Sequence, residues 1–77
     1  MIDLERTGKF IARWRREKQL TQKQLAEKLH VTDRAVSKWE TGRSFPDVDL
    51  LEDLCRELEI SVSDLLAGKR LEEKEYW

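Results

Sequence analysis

Arg34, Ser37 and Lys38 stand three and four residues apart in the stretch TDRAVSKWE, residues 32–40. Two of these side chains are cationic donors, and the third is a hydroxyl that donates or accepts. On a helix turning about 100° per residue, Asp33, Ser37, Thr41, Arg34 and Lys38 share an arc of about 140°. Ala35, Trp39 and Val36 fall on the other side, from about 200° to 300°, so polar and apolar residues do not mix. Such a helix buries an indole and offers donors outward. What meets them is either water, as on any solvated surface helix, or an anionic surface rich in acceptors.

Other chemistries find little support. There is no Ser/His/Asp or Cys/His arrangement and no glycine-rich phosphate loop, so the chain reads as no enzyme. The lone His30 has no Cys/His cluster near it in sequence, which argues against a metal site, and nothing suggests a cofactor or small-molecule ligand. Cys55 is the only cysteine and forms no intrachain disulfide. Set among Leu51, Leu54 and Leu58, it reads as a buried free thiol. No apolar run approaches the ~20 residues of a membrane span, and Met1 opens no signal-peptide pattern. A reducing cytoplasm is the expected location.

Seventy-seven residues allow one domain with a thin core. The net charge of −1 conceals a division. Residues 1–43 carry 11 Lys/Arg against 6 Asp/Glu, and residues 44–77 carry 4 against 10. A basic half suits an anionic partner, since a phosphate backbone meets one face of a small domain. The acidic half is an alternative surface for protein partners.

The elements that would position the donors are five helices and no strands. The first spans about Leu4 to Lys18, with Asp3 as N-cap. Its apolar side is Phe10, Ile11 and Trp14, with Leu4 one heptad before Ile11. The second spans Gln22 to Leu29 after a capping box, Thr21 with Gln24, and turns Leu25, Ala26 and Leu29 inward. The third is capped by Thr32 and ends before Gly42. The fourth spans Asp47 to Leu58, with Asp47 as cap and Val48, Leu51, Leu54, Cys55 and Leu58 as its inner stripe. The fifth spans Val62 to Ala67, opened by Ser61 with Asp64 and ended by Gly68. This assigns residues 1–68 to the domain. Residues 69–77 form a charged tail, either a linker to a further domain or part of a dimer contact.

The second and third helices flank a tight turn at His30-Val31, which is a helix-turn-helix. Small Ala26 lets the two helices approach, and a large residue there should prevent their crossing. The run Leu20-Thr21-Gln22-x-x-Leu25-Ala26, followed by Val36-Ser37-Lys38-Trp39-Glu40-x-Gly42-x-x-x-Pro46, resembles the Xre/Cro-like family of bacterial and phage repressors. The resemblance extends from about Gly8 to Leu66. It implies an all-α, five-helix, lambda-repressor-like domain that sets its third helix in the DNA major groove.

The resemblance implies roles for named residues. Arg34 and Lys38 can donate to guanine O6 and N7, and Ser37 can bond several base edges. Asp33 either accepts from cytosine N4, orients Arg34, or favours its own helix N-terminus. Thr32 either touches a thymine methyl or caps its helix. Gln22 holds a phosphate and braces the third helix, or is a plain surface residue. Thr41, Arg43, Ser44 and the amides of the loop at Gly42 can grip phosphate. Arg15 and Glu40 match positions that pair as a buried ion bridge, with a surface Arg15 as the alternative. His30 stands where the family often has glycine, so it is expected in the left-handed region. Double-stranded DNA is the expected partner of a sequence-specific transcriptional regulator, a repressor. It would act as a homodimer on a palindrome, with Leu65, Leu66, Leu71, Tyr76 and Trp77 as candidate dimer contacts. A protein-interaction module of the same fold, antitoxin-like or anti-repressor-like, is the competing reading.

Overall fold

The computed structural model describes residues 2–71. Five helices follow in order: α1 (Leu4–Glu17), α2 (Gln22–Leu29), α3 (Asp33–Glu40), α4 (Val48–Leu58) and α5 (Val62–Ala67). No strand occurs among the described residues. Their starts obey local chemistry. Asp3 accepts from the Arg6 amide at 3.1 Å and Thr32 from the Ala35 amide at 3.1 Å. Reciprocal capping boxes open α2, through Thr21 and Gln24, and α5, through Ser61 and Asp64. Asp47 stands at the N-cap of α4, but its side chain makes no capping bond there.

The helix ends share one device. In each, a residue with positive φ lets the next amide reach back five residues, the Schellman arrangement. Leu20 bonds Arg15 O at 3.1 Å, Val31 bonds Ala26 O at 3.0 Å, and Arg43 bonds Lys38 O at 2.9 Å. Ile60 bonds Cys55 O at 3.0 Å and Lys69 bonds Asp64 O at 3.2 Å. Glycine occupies the positive-φ position after α3 and α5, but Gln19, His30 and Glu59 occupy it after α1, α2 and α4. A side chain in that region costs roughly 1–2 kcal/mol. At those three ends an apolar residue follows, Leu20, Val31 or Ile60, and packs on or into the core, which offsets the strain.

The core joins Phe10 and Ile11 of α1, Leu25, Ala26 and Leu29 of α2, and Val36 and Trp39 of α3 to Leu54, Cys55, Leu58, Ile60 and Leu65. Cys55 is indeed a buried free thiol, its pKa raised first by burial and then by the charge of Asp64. α3 packs mainly on α1 and α2. The contact with α1 depends on Gly8. A Cβ there would lie 2.3 Å from the Trp39 carbonyl oxygen and 2.7 Å from that of Glu40. Two backbones therefore meet with nothing between them, a contact that no periodicity of apolar residues announces.

Three expectations are corrected. Val48 does not line the core and is 81% exposed, and Leu4 is 36% exposed. Each precedes a buried residue, Cys55 or Ile11, by seven positions, so its direction around the helix is right. A heptad is also about 10 Å along the axis, which carries both residues past the end of the core. Leu65 is fully buried and cannot serve a dimer, whereas Leu66 and Leu71 are 40% and 52% exposed. Tyr76 and Trp77 lie outside the described residues.

Past Gly68 the chain leaves the helix but stays on the body. Arg70 bonds Asp64 Oδ2 and the Glu59 carbonyl, each at 3.3 Å, and lies 4.5 Å over the Trp14 ring. The Leu71 amide donates to Asp64 Oδ1 at 3.0 Å.

Candidate nucleic-acid interface

The orientation of α3 decides whether its donors are available. Val36 is completely buried and Trp39 nearly so, anchoring one side of α3 between α1 and α2. Asp33, Arg34 and Lys38 are exposed on the other, with Ser37 half-exposed. Among the described residues, none of Arg34, Lys38 and Arg43 belongs to an ion pair. Their charges are thus directed at solvent rather than consumed within the domain.

Thr32 is occupied as the cap of α3, its oxygen accepting from Ala35. Asp33 follows as the first residue of the helix, where a carboxylate favours the positive end of the dipole. His30 is exposed, with φ 58°, and fills the left-handed position that the turn requires.

The loop after α3 differs from expectation. Its amides turn inward: Gly42 donates to Trp39 O at 3.2 Å, Arg43 to Lys38 O at 2.9 Å, and Ser44 to Lys38 O at 3.4 Å. Closing the helix uses the donors that were expected to grip phosphate, so the side chains of Arg43 and Ser44 are what the loop can offer. Thr41 has a similar limit. Its hydroxyl donates to Ser37 O at 2.9 Å, which leaves its oxygen outward as an acceptor. A phosphate presents acceptors too, so Thr41 can serve it only by breaking that bond.

Behind this surface a polar junction fixes the helices. Arg15 Nε and Nη2 donate to Glu40 Oε2 and Oε1 at 2.6 and 3.0 Å. Arg15 Nη1 donates to the Leu20 carbonyl at 2.8 Å. The ion pair is largely buried, with the side chains 11% and 5% exposed. Gln22 Nε2 joins at 2.9 Å from Glu40 Oε1, so the first residue of α2 is tied to the last of α3. A pair buried this deeply orients more than it stabilises, because desolvation offsets much of the Coulomb attraction. Sequence inspection set Gln22 and the Arg15–Glu40 pair apart as separate features. Their junction spans 18 and 25 residues, beyond the reach of any local signal.

The arrangement presents a cationic, hydroxyl-bearing ridge held rigidly by its own buried side. Residues 11–65 match the family model described as helix-turn-helix. The chain is similar to an HTH-type transcriptional activator, BcrR of Enterococcus faecalis, being 41% identical over 54 residues, 70% of this chain and 26% of that protein. It is also 39% identical over 66 residues to multiprotein-bridging factor 1 of Candida albicans, covering 86% of this chain and 41% of that protein. The chain thus spans less than half the length of either. Among solved structures, the P22 c2 repressor protein, in complex with a synthetic operator, superposes with a TM-score of 0.78 and 28% identity. That match covers 82% of this chain and 96% of the repressor chain.

Proposed function

The chain belongs to the helix-turn-helix family, and from that premise we propose that it is a sequence-specific, double-stranded-DNA-binding transcriptional regulator. One observation carries the reading: α3 buries Val36 and Trp39 while leaving Arg34, Ser37 and Lys38 outward. Placed in a major groove, α3 reads bases through Arg34 and Lys38, whose donors suit guanine O6 and N7, and through Ser37. Asp33 at its start accepts from cytosine N4, and Thr32 caps the helix. Gln22, Arg43 and Ser44 hold the phosphates on either side, which sets register rather than sequence preference. Thr41 completes the rim of the surface. Residues 1–68 form the binding unit.

One domain reads few base pairs, so the proposal includes a two-fold dimer on a palindrome with half-sites about one helical turn, ~10 bp, apart. Leu66 and Leu71 supply exposed apolar surface for it. Repression is the simplest outcome, since an occupied groove excludes a second protein. A DNA target and a buried thiol suit a reducing cytoplasm.

A second reading draws on the bridging-factor relatives and the acidic second half of the chain. In it, the same fold binds a protein partner in addition to, or instead of, DNA.

Selection from a random duplex pool tests the first reading and returns the motif, its symmetry and the half-site spacing. Arg34→Ala should then cost roughly 1–3 kcal/mol and relax one base position. Arg43→Ala should weaken all sequences alike and flatten the salt dependence. Recovery of no motif, with binding insensitive to salt, would remove DNA as the ligand.

A further inference from the structure

Glu40 is the one carboxylate in the described structure that receives side chains from two other helices. Arg15 fixes it from α1 with two nitrogens, and the third nitrogen of that guanidinium is held by the Leu20 carbonyl. The carboxylate therefore cannot rotate away without leaving a buried cation unpaired. Its remaining donor is Gln22 Nε2, 2.9 Å from Oε1.

A carboxamide has two chemically different ends: nitrogen with two protons, and an oxygen that only accepts. Turned over, Gln22 would set its own oxygen against Glu40 Oε1, exchanging a charge-assisted hydrogen bond for repulsion. The polarity of the amide is thus decided within the free protein. One Nε2 proton is spent on Glu40 and the other is not used in a bond to any described residue. Gln22 itself is half-exposed at the start of α2, so that second proton is accessible to a ligand.

We infer that Glu40 is a positioning residue for DNA binding: clamped by Arg15, it holds the Gln22 carboxamide in the orientation that leaves its second Nε2 proton for a DNA phosphate. The inference rests on the phosphate role of Gln22 proposed above. It adds that the role depends on a residue that touches no DNA. The same clamp fixes the start of α2 against the end of α3, so phosphate contact and base reading share one register. Arg15 also neutralises a carboxylate that would otherwise repel the backbone.

A mutant cycle tests this, using the whole chain and a mixed-sequence duplex two helical turns long at low, fixed salt. Arg15→Met and Glu40→Leu are introduced together, because replacing both partners leaves no buried charge. Gln22→Ala is made alone and in that background. Gln22→Ala should weaken binding roughly tenfold, the worth of one charge-assisted hydrogen bond. The paired replacement should weaken it by a comparable factor, and the triple variant should bind no more weakly than Gln22→Ala. In proton-exchange NMR of the free protein, one Nε2 proton of Gln22 should be protected in the parent and lose protection in the paired variant.

A purely structural role for Glu40 predicts that the two factors multiply, and that result would overturn the inference while leaving the phosphate role of Gln22 intact. So would a paired variant that binds like the parent. Parent-like binding by Gln22→Ala would instead remove the phosphate role itself, and the inference with it. Should the paired variant fail to fold, Arg15→Gln together with Glu40→Gln carries the same cycle, since this polar pair also leaves no buried charge. Glu40→Gln offers Gln22 a donor as well as an acceptor, so it frees the amide polarity and should reproduce the loss.

Discussion

Glu40 and Asp64 are both carboxylates withdrawn from water, with side chains 5% and 9% exposed, yet they are satisfied in opposite ways. The donors to Glu40 come from Arg15 and Gln22, on two other helices. Those to Asp64 come from Ser61, Arg70 and Leu71, all within seven residues. Asp64 thus caps its own short helix and fastens the chain that follows, and Arg70 extends the fastening to the Trp14 ring. Glu40 instead sets α1, α2 and α3 relative to one another. The difference teaches that burial of a charge does not by itself mark importance to a surface. What matters is whether its partners are local, closing an end, or distant, fixing the placement of helices that must act together.

The contrast can be broken by removing each carboxylate. Glu40→Ala strands the Arg15 guanidinium in the interior and should cost about 3–5 kcal/mol in urea unfolding. Were it to cost no more than Asp64→Ala, the distinction would be empty. Gly8→Ala sharpens the contrast beside Glu40. The new methyl would meet the Trp39 carbonyl oxygen at 2.3 Å, so α3 must shift. About 1–3 kcal/mol of stability should be lost, and DNA affinity should fall with it, because α3 carries the base-reading residues. Asp64→Ala should cost about 1–2 kcal/mol, the scale of a lost cap and its companion bond, and leave DNA affinity at its parent value.

The smallest effect is in pH. Burial works to raise the Asp64 pKa, but the Leu71 and Ser61 amides, Arg70 and the Ser61 hydroxyl together hold it below its ordinary 3.8. A depressed native pKa means that the unfolded chain binds the proton first as acid is added. The contribution of Asp64 is therefore complete well above pH 3.8 and is lost as pH falls from there through the lower native value. Stability measured across that window should fall more steeply in the parent than in Asp64→Ala. Parallel curves would contradict the assignment.

Legibility followed the range of the interactions. Thr21 with Gln24 and Ser61 with Asp64 announce their helices because a cap and its partner lie three residues apart. The buried side of α3 follows from the spacing of Val36 and Trp39. His30 in the left-handed region was visible only through the family resemblance, which often has glycine at that place in the turn. Gln19 and Glu59 in the same conformation were not, because neither residue type signals positive φ. Val48 and Leu4 misled because periodicity reports direction around a helix and not distance along it. In the candidate interface, the outward donors of α3 could be named from its own spacing, whereas Gln22 on α2 could be named only through the family resemblance. Two details depended on bonds to carbonyls that sequence does not display: the inward amides of the loop and the committed hydroxyl of Thr41.

By itself the sequence determined five amphipathic helices, the side-chain caps of four of them, and a third helix split into an apolar side and a donor side. Those properties reside in the types and spacing of neighbouring residues, over a turn or two of helix. Only the tertiary structure decided that Gly8 admits the α3 backbone, that Glu40 joins Arg15 to Gln22, and that the core stops short of Val48. These depend on where whole helices lie against one another, and that is settled by packing and burial summed over the entire chain.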